Sequence, residues 1–166
     1  MSVINSDNKT KQLVSTALMM ALILVGTILI RIPIPMTQGY VHIGDAMIYL
    51  GVLLFGRRNG TIAAGLGSAM GDVLGGFAVW APWTFVIKAL MAYISGVLIE
   101  KTKTPKVLAM TAGGAVMVLG YFVAEGIMYG NWPAAALGIP WNIGQFVAGI
   151  VLALILSPLL KKVAKK

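Results

Sequence analysis

The chain has 166 residues, 58% of them hydrophobic and 11% charged, with a mean hydropathy of +0.89. Ordinary soluble domains carry about 25% charged residues, so too few polar groups exist here to cover a water-exposed surface, and intrinsic disorder is excluded on the same ground. Cysteine is absent and histidine occurs once, which removes a disulfide framework, a thiolate metal site and a cysteine nucleophile, and argues against a histidine-built metal centre.

The net charge is +8, from 13 Lys and Arg against 5 Asp and Glu. All of the basic residues except Arg31 and Lys88 sit in short clusters between apolar runs or at the termini. That is the pattern of membrane topology rather than of nucleic-acid binding. In chain order the apolar runs are 13–30, 44–55, 61–78, 82–99, 107–129 and 139–160. The second is short: at 1.5 Å per residue it spans roughly 18 Å of a hydrocarbon core about 30 Å thick. The charges arbitrate. With six crossings, Lys9 and Lys11, Arg57 and Arg58, Lys101, Lys103 and Lys106, and the C-terminal lysines all fall on one side, the cytoplasm by the positive-inside rule. The expectation is an all-α bundle of six transmembrane helices forming a single membrane domain over 1–166. Both termini are cytoplasmic: a tail at 1–12 and a basic tail at 161–166 that rests on anionic headgroups. No small-residue cleavage site follows the first run, so it is not read as a signal peptide. No internal repeat is evident.

This topology assigns a depth to every polar side chain in the spans. Asp45, Asp72, Lys88, Glu125, Asn142 and Gln145 all fall in the outer half. The inner half offers only hydroxyls such as Ser15, Thr16, Ser95, Thr111 and Ser157, which can bond back to their own helix at little cost. Trp80, Trp83, Trp132 and Trp141 are on the outer side too, as are Tyr40, Tyr121 and Tyr129, whereas an ordinary aromatic belt decorates both interfaces. Asn142 and Gln145 are three apart, and Tyr121 and Glu125 four apart, so each pair shares a helix face. The expected site is an outward-facing pocket with aromatic walls and a few fixed polar partners. Its substrate-binding candidates are Lys88, Glu125, Asn142, Gln145, Tyr121, Trp83, Tyr40 and His42. Two alternatives stay open: Asp72 and Lys88 as a structural ion pair, and Asn142 as a satisfier of backbone groups beside Pro140. The loop 31–43 interleaves Pro33, Pro35 and Gly39 with apolar residues and reads as a semi-rigid outer lid.

Small residues recur every four positions at Ala63, Gly67, Gly71 and Gly75, and again at Gly120 with Ala124 and Gly144 with Ala148. Intramolecular packing is the simpler reading of these stripes. Ala17 and Ala21 form a similar pair near the cytoplasmic end of the first helix and are candidates for partner contact. No phosphate-binding loop, zinc-protease motif or nucleophile elbow is present, so no enzymatic activity is expected. A polar cup above an apolar floor should bind without translocating, which calls for a partner.

These residues resemble a known family, the S components of energy-coupling factor (ECF) vitamin transporters. The resemblance rests on the six-helix length, the Ala17-x-x-x-Ala21 pair, the outer loop ending Tyr-Val-His-Ile-Gly-Asp, and Gly71-Asp72 followed by Pro82-Trp-Thr-Phe-Val-Ile-Lys88. It covers nearly the whole chain and is strongest with the small members assigned to hydroxymethylpyrimidine or pyridoxine-like compounds, with riboflavin or pantothenate relatives left open. It implies a vitamin-capture subunit in a prokaryotic plasma membrane, docking through Ala17 and Ala21 on a transmembrane T component with two cytoplasmic ATPases. It also implies that loop 31–43 is the substrate lid. ATP would be hydrolysed by the partners, with no cofactor in this chain. The competing readings are a stand-alone proton-coupled carrier, titrating through Glu125 or Asp72, and a non-transporting assembly factor.

Overall fold

A computed structural model describes residues 6–35 and 39–163. The outermost parts of both expected tails, 1–5 and 164–166, and three residues of the expected lid, 36–38, lie outside the described residues. The elements are α1 (Ser6–Leu29), β1 (Arg31–Pro33), β2 (Tyr40–His42), α2 (Gly44–Leu74), α3 (Ala81–Glu100), α4 (Lys106–Tyr129) and α5 (Trp132–Val163). Among the described residues, four helical segments are long and apolar enough to cross a membrane: Lys9–Leu29, Ala81–Glu100, Lys106–Tyr129 and Trp132–Leu160. Their outward faces are greasy. Leu13, Leu18, Leu29, Leu108, Leu119, Val151 and Ile155 are all exposed, a surface that lipid stabilises and water does not.

The second and third expected spans are the two helical halves of α2, separated at Gly56, whose φ of 80° and ψ of 175° are not helical. A residue with a Cβ is strained at that φ, and glycine is not. The break has a local cause. Arg57 begins a new helical segment, and its N–H donates to Glu100 Oε1 at 2.6 Å, so a carboxylate from the end of α3 caps the restart. The Arg57 side chain then pairs with the same Glu100 at 3.5 Å and lies over Tyr93. Lys11 and Gln12 of α1 border a recess with Phe55 and Asn59 beside the break. The start of α1, the break in α2 and the end of α3 therefore share one basic end of the bundle.

α2, α3, α4 and α5 pack as a ring in which α2 meets both α3 and α5, and α1 lies against α2. The core holds Ile23, Ile48, Tyr49, Met91, Met110 and Met117, with the Tyr49 hydroxyl donating to the Met110 carbonyl at 2.9 Å. The glycine stripe on α2 is intramolecular, as its simpler reading holds. A Cβ on Gly67 would lie 2.8 Å from the Met20 carbonyl oxygen, and one on Gly71 2.7 Å from Thr27 Cγ2, so α1 presses on bare backbone. Gly120 abuts Ile87 in the same way, but Gly144 meets nothing within 4 Å and does not belong to a packed seam.

Several boundaries differ from the hydropathy reading: α1 starts at Ser6 rather than 13 and α2 ends at Leu74 rather than 78. α5 starts at Trp132, seven residues before the expected span. Asn131 Oδ1 accepts the Ala134 N–H at 3.0 Å, and Pro133 occupies the first turn, a start signal independent of hydropathy. The loop 31–43 contains an antiparallel ribbon pairing Arg31 with His42, Ile32 with Val41 and Pro33 with Tyr40, so the expected lid carries β structure inside an otherwise helical chain.

The α1–α2 seam makes a directional prediction. Gly71→Ala should lower the thermal midpoint of the purified protein, by about 1–3 kcal/mol of overpacking. Gly144→Ala, with open space around its Cβ, should leave the midpoint unchanged or raise it through helix propensity. Equal effects would refute the close approach.

Candidate functional site

The site is built at the end of the bundle away from the Gly56 break. The ribbon supplies Ile34, Gly39, Tyr40 and His42; α2 supplies Asp72; Trp80 and Thr84 come from the entry and first turns of α3; α4 gives Tyr121 and Glu125, and α5 gives Asn142 and Gln145. Together they line a cavity with an empty volume of about 440 Å³, part of it open to solvent. Residues separated by more than a hundred positions meet here because every helix of the ring brings its turns at this end to the same level.

Two anchors hold the ribbon over the cavity. Arg31 reaches the C-terminal carbonyls of α2, donating from Nη1 to Gly75 at 2.9 Å and from Nη2 to Gly71 at 3.0 Å, while Nε donates to Thr27 at 3.0 Å. A cation at a helix C-terminus also meets the negative end of the macrodipole. Its guanidinium stacks over Tyr40 and Phe77. The Tyr40 hydroxyl donates to Asp72 Oδ1, and its ring packs on Phe77 with centroids 4.6 Å apart. Burial, followed by the Asp72 hydrogen bond, pushes the Tyr40 phenol far above its ordinary range, so this hydroxyl stays a donor.

The second anchor runs through the floor. The His42 N–H donates to Gln145 Oε1 at 2.8 Å, Gln145 Nε2 donates to Asp45 Oδ2 at 2.9 Å, and Lys88 Nζ donates to Asp45 Oδ1 at 2.5 Å. The ammonium also contacts Met117 Sδ at 2.9 Å. Lys88 and Asp45 are both fully buried. The partner of Lys88 is thus Asp45, and the Asp72–Lys88 pair that the sequence left open is not formed. His42 Nδ1 accepts the Gly44 N–H at 3.0 Å, which leaves the ring proton on Nε2. Burial first, and then the Lys88 charge, lowers the His42 pKa to about 3, so the imidazole is neutral at physiological pH.

Of the sequence candidates, Tyr40, His42, Tyr121, Glu125, Asn142 and Gln145 stand on the cavity wall. Lys88 lies behind it, with its Nζ 5.3 Å from the Tyr121 ring centroid. Trp83 is half-buried against the core, and Trp80 takes the aromatic wall position, contacting Tyr121 and Tyr129. Asn142 lines the cavity and donates from Nδ2 to the Gly138 carbonyl at 3.1 Å. Gly138 leaves room there, since a Cβ would come within 3.4 Å of Glu125 Oε2. Asp72, Thr84, Trp80 and Arg31 were outside the candidate set. Helical spacing pointed to Thr84, which is four residues before Lys88 and receives the Tyr121 hydroxyl at 3.3 Å. Ala17 and Ala21 are exposed on α1, among apolar neighbours and away from the cavity. Among the described residues no group of three or more His, Cys, Asp or Glu is placed to hold a metal ion.

A helical membrane protein with a small-molecule cavity walled by aromatic rings and amide groups is the class that this geometry defines. Residues 7–162 match the ECF-type riboflavin transporter S component family, and the chain belongs to it: it is an S component, a protein of membrane vitamin transport. It is 35% identical over 158 residues to the thiamine precursor transporter HmpT of Lactococcus lactis subsp. cremoris, covering 94% of this chain and 92% of that protein. It is 43% identical over 141 residues to a protein from Pyrococcus woesei described as an uncharacterized protein in the gap 3′ region, covering 83% of this chain and 93% of that one.

The floor and the histidine each carry a test. Lys88→Met should cost about 3–5 kcal/mol of stability by stranding the Asp45 charge, and adding Asp45→Asn should recover most of it; a thermal-denaturation double-mutant cycle reads the coupling. A folded His42 pKa of about 3 lies below the ordinary value of about 6.5. The unfolded chain therefore binds the extra proton first, and stability falls as pH drops from 6.5 towards 3. Between pH 7.5 and 5 the wild type should lose up to about 2 kcal/mol through this histidine. His42→Asn, which keeps an acceptor for Gly44, should lose correspondingly less, and an identical loss would refute the burial argument.

Proposed function

We propose that this chain is the substrate-binding S component of an ATP-driven ECF vitamin importer. It crosses a prokaryotic plasma membrane six times with both termini in the cytoplasm. It captures a small heteroaromatic vitamin or precursor, of hydroxymethylpyrimidine or pyridoxine type, from outside. The observation that carries this reading is the one-sided cavity: rings and hydrogen-bonding groups line the end opposite the basic break at Gly56, above a floor closed by Lys88, Asp45 and packed methionines. The positive-inside rule makes the basic end cytoplasmic, so the cavity faces out. The break at Gly56 supports two crossings within α2, and the likeness to a thiamine precursor transporter supports the substrate class.

In this reading Tyr40, Trp80 and Tyr121 enclose the flat ring, which they suit by area and by polar tips. Glu125, Asn142, Gln145 and His42 fix its orientation, and the ribbon covers it. Lys88 acts through the floor network, with Trp83 backing the wall. Delivery inward requires the T component and two ATPase subunits, met through the exposed Ala17 and Ala21, whose small side chains admit a close helix approach. The nucleotide is bound and hydrolysed by those partners.

The purified chain should bind its vitamin stoichiometrically without ATP, and small-molecule mass spectrometry of the purified protein identifies it. Reconstituted uptake should require the T component and ATPases; uptake by this chain alone, driven by a proton gradient, would overturn the proposal in favour of a coupled carrier. Ala17→Trp should reduce co-purification with the T component and uptake by about tenfold or more while changing substrate affinity less than about threefold.

A further inference from the structure

Asp72 is 3% exposed and stands on the cavity wall. Its Oδ1 receives the Tyr40 hydroxyl and the Thr84 hydroxyl also acts on the carboxylate, but Oδ2 accepts no hydrogen bond of ordinary geometry among the described residues. A buried carboxylate oxygen left without a donor costs free energy and demands an explanation. The explanation is set by the charges around it. The two cations nearest the cavity are committed elsewhere. Lys88 is held by Asp45 and Met117, and Arg31 is held by the carbonyls of Thr27, Gly71 and Gly75. His42 is neutral, with its Nδ1 taken by Gly44. Glu125 is the other carboxylate on the wall, so among the described residues the lining carries acidic groups and no cation.

We propose that Asp72 Oδ2 is a substrate-binding and charge-selecting atom of this site. It accepts a hydrogen bond from an amino, ring N–H or hydroxyl group of an uncharged or protonated heteroaromatic compound, and it bars the phosphorylated or carboxylated forms of the same rings. An N–H or O–H donor satisfies the orphaned oxygen. An anion placed there meets a like charge in a site with little water to screen it. Because the other oxygen of the same carboxylate holds Tyr40, recognition and ribbon closure share one residue. The inference rests on the receptor reading above, and adds to it which chemical forms of a vitamin are taken.

The test uses the full chain and three pairs of probes: hydroxymethylpyrimidine, pyridoxine and riboflavin, each against its phosphate monoester, by isothermal titration calorimetry. The unesterified member of whichever pair binds should be favoured by about 100-fold or more. Asp72→Asn should weaken that member by about 10- to 100-fold and shrink the gap to its ester. A phosphate ester bound within tenfold of its parent by the wild type overturns the charge selection while leaving the receptor reading standing, and so does an Asp72→Asn variant that keeps both the affinity and the gap. If Asp72→Asn fails to elute as a monodisperse species, the wild-type ratio alone decides. Failure of the wild type to bind any of the six compounds brings down the receptor reading, and this inference with it.

Discussion

A single buried ion pair holds together the end of the molecule that carries the cavity. Lys88 on α3 and Asp45 on α2 meet with no exposed surface, and isolated charges at that depth are expensive to bury. Their remaining valences draw in the other elements: Met117 from α4, Gln145 from α5, and through Gln145 the backbone of His42 on the ribbon. Such a network contributes little net stability compared with an apolar core of the same volume. Its value lies in geometry. Each helix of the ring has one polar partner at one level, which sets the level at which the cavity begins.

That pair also shows how far the sequence could be read. Hydropathy and the basic clusters place Asp45, Asp72, Lys88, Glu125, Asn142 and Gln145 at one level, and the structure gathers them at the end of the bundle away from the Gly56 break. The choice of partner was not legible in the same way. Asp45 and Asp72 lie at the two ends of α2, both at the end of the bundle that carries the cavity, so position along the bundle cannot choose between them. The choice is made by lateral packing. Gly149 on α5 lets that helix approach until a Cβ there would sit 3.1 Å from Asp45 Cβ, which brings Gln145 onto Asp45 and leaves Asp72 to the ribbon.

Helix boundaries divide along the same line. α3 and α4 match their apolar runs within a residue, because Pro82 and Pro105 mark their starts. α5 begins earlier than its apolar run because its start is written in capping chemistry at Asn131 and Pro133, not in hydropathy. Pro140 looked like a start signal and instead sits inside the helix, where a neighbouring amide, Asn142, bonds the Gly138 carbonyl. The ribbon pairing was illegible for a different reason: three-residue strands broken by two prolines carry no alternation to detect.

The glycine stripe of α2 links packing to the site. At Gly67 and Gly71 the missing side chains admit α1, and one turn further on, at Gly75, they admit Arg31: a Cβ there would overlap its guanidinium. Because Gly75 is bare, that side chain can reach the Gly75 carbonyl, and it adds a second donor to the Gly71 carbonyl, which already accepts the Gly75 N–H. Arg31 is also the first residue of the ribbon and the cation over Tyr40. A stripe that reads as ordinary helix packing therefore continues, without a change of register, into the structure that roofs the cavity. α1 closes against α2 and the ribbon closes over the site by one and the same surface.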